Sequence, residues 1–369
     1  MSEFAERLTR VRSKMEDRGL DGLVITHPTN RRYLTGFTAD DIPPNESGGY
    51  VHISADRLDL VTGSVNTSQA AAQAPHAAIV KRGESWAKHI VEFITDAKLH
   101  RVGYEPNAML EGVFRQTNEL LVEEGYRVAW VDADGLVDEV RKVKSPAEIA
   151  LLRKAFEITC ESFNEVSGVI EAGMTELEIA HALEAAMLAR GAEGPAFPTI
   201  VASGPHAARP HHEPGSRRIE AGDSIVIDMG AKYEGYCADL TRTVWVGNAD
   251  EKLREVYNLV YGANEAAIER AHPGATGKEL DSFARDHITA GGYEEEFSHS
   301  LGHGVGLRVH EGPSASTRSE DTMEAGNTLT IEPGIYIEDW GGVRIEDVVL
   351  FTDSGIEILT ESAHKLQIR

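Results

Sequence analysis

Five residues in the last two-fifths of the chain have the types and spacing expected of a metal site. Asp228 and Asp239 lie 11 positions apart, and Glu332 and Glu346 lie 14 apart. Each pair brackets glycine-containing turn residues within strand-like sequence, which predicts two β-hairpins that each bring two carboxylates together. Four converging carboxylates would repel one another and take up protons unless divalent cations lay among them. His303, between two glycines, is the fifth candidate ligand, and those glycines would let the backbone approach the metals closely.

Read singly, each of these residues has a commoner structural explanation, such as a cap, a turn former or a core histidine. Together they occupy four segments whose order is informative: I-D-M-G-A-K-Y-E-G-Y-C-A-D-L-T-R-T, S-L-G-H-G-V-G-L-R-V-H-E-G-P, T-I-E-P-G-I-Y and G-G-V-R-I-E-D. In these segments the chain resembles the creatinase, aminopeptidase P and prolidase family of metallopeptidases, family M24. The resemblance implies a catalytic domain with the α+β pita-bread fold.

The resemblance also implies how two divalent metal ions would be held. Asp239 and Glu346 would bridge the ions, Asp228 would chelate one of them, and His303 with Glu332 would hold the other. An oxygen-rich set with a single imidazole suits Mn²⁺ or Co²⁺, with Zn²⁺ as the alternative.

Further site residues are carried over from the same resemblance. His211 and His310 match histidines that flank the metals and contact the substrate, so His211 would orient the substrate and His310 would stabilise the intermediate. Glu332 would handle the proton of the attacking water. Arg344 resembles the arginine that lines the site, its alternative being a structural partner for a nearby carboxylate. For His212 the expectation is an exposed loop histidine.

The activity expected first is that of an Xaa-Pro dipeptidase (prolidase) acting on proline-containing peptides, with a proline-specific aminopeptidase as the close alternative. Two departures from the family pattern bear on this choice: Arg308 stands where glutamate is common, and Ser314 stands where many prolidase-like members have arginine. Without that arginine, recognition of a dipeptide's C-terminal carboxylate lacks its natural partner, and Arg308 or a group from a partner subunit would have to take its place. The missing arginine therefore mildly favours the aminopeptidase. A creatinase-type hydrolase, a non-catalytic binding module and a methionine aminopeptidase fit less well, since all five ligands and a large N-terminal region are present.

The elements before position 140 predict an α/β domain with a mixed sheet over residues 1–140. A helix is expected over 4–18, followed by helices near 85–98 and 108–124. Short apolar runs predict strands at 22–26, 50–54, 58–62, 77–80, 101–105 and 127–131. The catalytic domain, 141–369, is expected to supply the metal ligands.

In that second domain the helices are marked by their caps. Ser145, Pro146 and Glu148 form a predicted capping box with proline at the first helical position, and Thr175 with Glu178 repeats the pattern. With later helices at 250–271 and 276–290, the domain is predicted to run α-α-β-β-α-α-β-β. Each half of this pseudo-repeat supplies one hairpin with two acidic residues.

Composition excludes several other classes of protein. A formal charge of −24 disfavours nucleic acid and anionic membranes as partners. Of the 36 basic residues, 25 are arginine and 11 lysine, which is typical of a salt-adapted surface or of an acidic protein from a GC-rich genome. The sequence shows no long apolar run and no signal peptide. Its only cysteines, Cys160 and Cys237, are both expected to be buried. The chain is therefore expected to be cytoplasmic. The resemblance implies a homodimer.

Overall fold

The computed structural model describes residues 2–39, 41, 46–83 and 85–360. The chain divides into two compact units, Met1–Arg141 and Lys142–Arg369. Each unit has hydrophobic core clusters of its own. No helix in the described ranges is long and apolar enough to cross a membrane.

The first unit is built on one six-stranded sheet. Its elements are α1 (Glu3–Asp17), β1 (Gly22–Ile25), α2 (Pro28–Thr35), β2 (Gly49–Ser54), β3 (Leu58–Thr62), α3 (Thr67–Gln73), β4 (Ala78–Lys81), α4 (Trp86–Asp96), β5 (Arg101–Tyr104), α5 (Glu111–Glu123), β6 (Ala129–Asp132) and α6 (Leu136–Lys142). The strand order is β4-β3-β2-β1-β5-β6. Strands β1, β2 and β3 pair antiparallel, and β4, β5 and β6 join in parallel. The predicted mixed sheet is therefore confirmed, whereas α2, α3 and α6 were not predicted.

The second unit repeats two helices followed by strands, as predicted. Its elements are α7 (Pro146–Ser167), α8 (Glu176–Ala189), β7 (Gly194–Pro195), β8 (Ile200–Ser203), a 3-10 helix (Gly204–Ala208), β9 (Ser224–Met229), β10 (Ala231–Tyr233), β11 (Tyr236–Cys237), β12 (Leu240–Trp245), α9 (Glu251–Ile268), α10 (Gly277–Ala290), β13 (Gly302–Gly304), β14 (Glu311–Ala315), β15 (Thr328–Ile331), β16 (Gly334–Ile337), β17 (Gly341–Arg344), β18 (Asp347–Thr352) and β19 (Gly355–Ile358). The two predicted capping boxes begin α7 and α8, and a third, at Thr276, begins α10. Both cysteines are buried and neither forms a disulfide.

Two antiparallel strand pairs occupy corresponding places in the two halves of the second unit. In the first half β9 pairs with β12, and in the second half β15 pairs with β18. A small hairpin interrupts each pair, β10 with β11 in the first and β16 with β17 in the second. The sequence predicted one simple hairpin in each half. The structure instead inserts a second hairpin between the arms, which brings the ends of the long strands together.

Buried polar contacts join the two strand pairs to each other. The Glu346 backbone N–H donates to Thr241 O at 3.0 Å, and the Thr241 hydroxyl donates to Glu346 Oε2 at 2.9 Å. Arg242 on β12 forms an ion pair with Asp347 on β18 at 2.7 Å, and both side chains are 0% exposed. Either charge would be strongly destabilising at this depth without its partner. The pair therefore helps to hold the two halves in register.

Candidate active site

One cavity in the second unit collects all eight residues that the sequence singled out for chemistry. Its volume is about 760 Å³. It is lined, among others, by His211, Asp228, Asp239, His303, His310, Glu332, Arg344 and Glu346. Residues as distant along the chain as His211 and Glu346 thus meet at one site.

The four acidic residues lie at the ends of the paired strands. Asp228 is in β9, Asp239 directly precedes β12, Glu332 directly follows β15 and Glu346 directly precedes β18. One carboxylate oxygen from each of Asp228, Asp239 and Glu346 lies within 4.8 Å of the other two. Both halves of the pseudo-repeat therefore contribute to one carboxylate cluster, and Glu332 lies beside it against His303.

His303 is held on β13 beside these carboxylates. Its Nε2 lies 3.2 Å from Glu332 Oε1 and 3.8 Å from Asp239 Oδ2. Its Nδ1 lies 3.1 Å from Gly304 O, a contact in which the ring nitrogen donates, so Nε2 is the atom that faces the acids. The flanking glycines, predicted to let the backbone approach the metals, also permit close packing between strands. A Cβ at Gly302 would collide with the carbonyl of Thr330 on β15.

Burial and repulsion among neighbouring carboxylates raise the pKa values of three acids at this site. Burial, followed by the charge of Glu346, raises the pKa of Asp239 well above its usual range. Burial and the charge of Glu332 do the same to the pKa of Glu346, and burial raises the pKa of Asp228. Asp228 Oδ1 and Glu346 Oε1 are buried oxygens with no hydrogen-bond partner in the described structure. Buried acceptors without donors are what divalent cations satisfy, so this set fits the predicted metal ions.

Glu332 and His303 behave as a pair. Burial alone would raise the pKa of Glu332, but the hydrogen bond and charge of His303 lower it to about 2. Burial would lower the pKa of His303, but the bond to Glu332 raises it. This hydrogen bond holds the imidazole and the carboxylate together where they would act as ligands.

Arg344 is a buried cation at the edge of the acidic cluster. Its Nη2 donates to Asp228 Oδ2 at 2.8 Å, its Nε to Thr241 Oγ1 at 3.0 Å and its Nη1 to Tyr336 Oη at 2.8 Å. Arg344 also lines the cavity. It therefore serves as a structural partner for a carboxylate, the alternative weighed from the sequence.

The two predicted substrate-contacting histidines are both exposed residues that line the cavity. The His310 ring stands edge-on to His303 with centroids 4.4 Å apart, and partial burial, followed by the charge of His303, lowers the pKa of His310 so that it is neutral near pH 7. His211 is exposed and lines the cavity on the loop after Pro210. His310 is thus placed beside the candidate ligands and His211 on the cavity wall.

The expectation that His212 is an exposed loop histidine is wrong. Its side chain is only 9% exposed, and its Nε2 lies 2.9 Å from Oε2 of the buried Glu176. The ring points inward because it pairs with the buried Glu176, and nothing within the local sequence R-P-H-H identified that partner. His212 also lines the cavity.

Two threonines that complete the cluster were missed from the sequence. The hydroxyls of Thr241 and Thr330 donate to Glu346 Oε2 at 2.9 Å and to Glu332 Oε1 at 3.0 Å. Thr330 lies two residues before Glu332, which is the spacing that places side chains on the same face of a strand. That period was a readable signal, whereas the contact between Thr241 and Glu346 depends on the tertiary fold. His299, bonded to the Tyr336 hydroxyl at 3.0 Å, was also missed.

The two departures from the family pattern lie away from the acids. Arg308 is exposed and is not among the residues that line the cavity. Ser314 donates its backbone N–H to Asp321 at 2.9 Å and its hydroxyl to Ser319 at 3.1 Å. In the described structure, therefore, neither position offers a cavity-lining guanidinium in place of the missing arginine.

Comparison with known proteins agrees with this fold. The family model of metallopeptidase family M24 matches residues 150–353, and that of the creatinase/prolidase N-terminal domain matches residues 7–143. A Xaa-Pro dipeptidase of Pyrococcus furiosus is 37% identical over 98% of this chain and 99% of its own length. The chain therefore belongs to metallopeptidase family M24 and is a peptidase, as the resemblance indicated.

Solved structures of two relatives superpose over almost the whole chain. The Xaa-Pro dipeptidase from Bacillus anthracis is 35% identical with a TM-score of 0.92, covering 99% of this chain and 100% of that one. The X-Pro aminopeptidase from Thermotoga maritima is 37% identical with a TM-score of 0.85, covering 97% of this chain and 100% of that one. Overall similarity to these two structures does not by itself separate the two activities.

Proposed function

We propose that this protein is a dinuclear metal-dependent Xaa-Pro dipeptidase. The observation that carries the proposal is the convergence of four carboxylates and His303 on one cavity, with Asp228 Oδ1 and Glu346 Oε1 buried and unpartnered among the described residues. In this proposal Asp228, Asp239, His303, Glu332 and Glu346 hold two divalent ions. The Xaa-Pro dipeptidases among the relatives supply the substrate class.

The bound ions supply Lewis acidity and an activated water for attack on the scissile carbonyl. With the ions bound, Glu332 would be the carboxylate placed to take the proton of that water, since it lines the cavity beside His303. His310, neutral and beside His303, donates a hydrogen bond to the developing oxyanion. His211 contacts the proline side of the peptide from the cavity wall. Arg344 fixes the orientation of Asp228 and closes that side of the site.

Mn²⁺ is the ion we propose for the site. Four carboxylates and one imidazole form an oxygen-rich donor set, which favours Mn²⁺ or Co²⁺ over the softer sites that select Zn²⁺. Both cysteines are buried, and neither lines the cavity. We further propose a cytoplasmic homodimer, on the strength of the family resemblance and the acidic composition.

The second candidate is an Xaa-Pro aminopeptidase. Two observations favour it: Ser314 replaces the arginine common in prolidase-like members, and the Thermotoga maritima relative carries that name. The two activities differ in the group that comes after proline in the substrate. A dipeptidase must accept a free carboxylate there, and an aminopeptidase must accept a continuing peptide.

Hydrolysis of Ala-Pro beside Ala-Pro-Ala, with Mn²⁺ and then with a chelator, tests the proposal. We expect metal-dependent cleavage of Ala-Pro with little turnover of the tripeptide. Cleavage of the tripeptide with little dipeptide turnover would establish the aminopeptidase instead. Cleavage of neither peptide by metal-loaded protein would contradict both candidates.

A further inference from the structure

Glu176 is a buried carboxylate that gathers an unusual number of donors. It is the first residue of α8, its side chain is 0% exposed, and it receives the backbone N–H of Ser203 at 2.9 Å and of Gly215 at 3.2 Å. The Ser203 hydroxyl donates to it at 2.7 Å. His206 Nδ1 lies 3.0 Å away and His212 Nε2 2.9 Å away. These bonds outweigh burial and lower the pKa of Glu176, so it is ionised at neutral pH.

An ionised carboxylate can only accept, and this determines the protonation of His212. Its Nε2 must carry a proton to bond Glu176, which leaves Nδ1 as the second polar atom of the ring. Within the described residues Nδ1 has no hydrogen-bond partner, and it is not among the buried unpartnered atoms. Since the ring lines the cavity, Nδ1 is available to a bound molecule.

A dipeptide that ends in proline offers one strong anion, its C-terminal carboxylate. Two of the cavity's other donors, Arg344 and His299, are engaged in the described structure. Arg344 is paired with Asp228, and both ring nitrogens of His299 are bonded, to Tyr336 Oη and to Ser300 O. His303 faces the acids. His212 lines the cavity and has the buried carboxylate of Glu176 on its other side, so a carboxylate bound in the cavity would meet the ring nitrogen that Glu176 does not use.

We propose that His212, anchored by Glu176 through Nε2, donates an Nδ1 hydrogen to the C-terminal carboxylate of an Xaa-Pro dipeptide. His212 is then the specificity residue that substitutes for the arginine missing at Ser314, and Glu176 is its positioning residue. The inference rests on the proposed dipeptidase function. It assigns the preference for dipeptides to the loop that also carries His211.

The test uses a variant that keeps the anchor and removes only the second donor. In His212→Gln the amide nitrogen can still reach Glu176, but nothing replaces Nδ1. We expect kcat/KM for Ala-Pro to fall about 10- to 100-fold, mainly through KM, and that for Ala-Pro-amide to change less than about threefold. Glu176→Gln is expected to lose the same selectivity, because the carboxylate that anchors the ring through Nε2 is gone.

His206→Asn is the matched control. His206 shares Glu176 but does not line the cavity, and an asparagine amide can replace its Nδ1 donor. We expect it to leave both substrates within about threefold of wild type. Equal losses on Ala-Pro and Ala-Pro-amide in His212→Gln would overturn the inference, since they would indicate a purely structural role. A loss confined to Ala-Pro-Ala would overturn it as well.

Product binding separates this inference from the proposed function. Calorimetry on the Mn²⁺-loaded protein should show L-proline binding at least about tenfold tighter than L-prolinamide, and His212→Gln should remove that preference. If the wild type hydrolyses neither peptide, the proposed function fails while this comparison still decides the carboxylate site. Equal binding of the two compounds by wild type would overturn it.

Metal analysis supplies the last control. Glu176, His206 and His212 lie close enough together to be read as a metal site. A zinc ion retained beyond two equivalents per chain and lost in both His206→Asn and His212→Gln would overturn the inference. In that case Nε2 of His212 would be a ligand rather than a donor. We expect the metal content to be the same in wild type and both variants.

Discussion

Single residues at this site are placed where they destabilise the metal-free protein. Burial and the charge of Glu346 raise the pKa of the Asp239 carboxyl well above its usual range, and burial with the charges of Glu332 and Asp228 does the same to the pKa of Glu346. A raised pKa in the folded state means that the folded protein binds a proton more tightly than the unfolded chain. The associated stability is complete below the ordinary pKa of about 3.8 to 4.5 and is lost as pH rises through the folded value.

Asp239→Asn is therefore expected to have opposite effects on stability and activity. In metal-free protein at pH 8 the free energy of unfolding of the variant should exceed that of wild type by about 1–3 kcal/mol, because one repelling charge is gone. Denaturant unfolding in chelator at pH 8 and at pH 5 measures this. The gain should shrink at the lower pH, where the wild-type carboxyl binds its proton. A variant that is less stable than wild type at pH 8 would contradict the electrostatic account.

At the scale of the element, the site depends on close contact between β13 and β15. His303 lies on β13, and its backbone N–H donates to the Thr330 hydroxyl on β15 at 2.9 Å. Gly302 permits this approach, since a Cβ there would collide with the Thr330 carbonyl. The strand that carries the candidate imidazole ligand is thus positioned by its neighbour's backbone.

Gly302→Ala is expected to destabilise the protein by about 3 kcal/mol or more and to weaken metal binding, because β13 must move away from β15. Gly194→Ala is the matched control: Gly194 is also in a strand of the second unit, and a Cβ there meets nothing within 4 Å. Thermal unfolding and metal content of the two variants make the comparison. Similar behaviour of both would refute the close-packing explanation.

How far the sequence predicted this structure differs among elements for physical reasons. The capping boxes at Ser145 and Thr175 were predicted correctly because their chemistry is local. The five candidate ligands were predictable as a group because strand ends and turns mark them. The partners of His212 and Arg344 were not, since Glu176 and Asp228 reach them only through the tertiary fold. The small helices α2, α3 and α6 were missed because seven or eight residues carry little periodicity.

At the scale of the whole molecule, the formal charge of −24 makes the stability of the fold depend on ionic strength. Repulsion among exposed carboxylates is long-ranged at low salt and is screened within about 10 Å at 0.1 M. We expect the unfolding temperature to rise by several degrees between 0.05 M and 0.5 M KCl. An equal osmolality of sucrose is the control, because it screens no charge. A flat or falling response to KCl would remove the support for a salt-adapted surface.

The most direct test of the account is a titration of metal-free protein with Mn²⁺, with bound metal and hydrolysis of Ala-Pro both measured at each step. We predict binding of two ions per chain and activity that reaches its maximum only as the second ion binds. In Asp239→Asn we predict loss of both the metal binding and the activity. Maximal activity with one ion or none per chain, or full activity in Asp239→Asn, would contradict a dinuclear centre built from these five ligands.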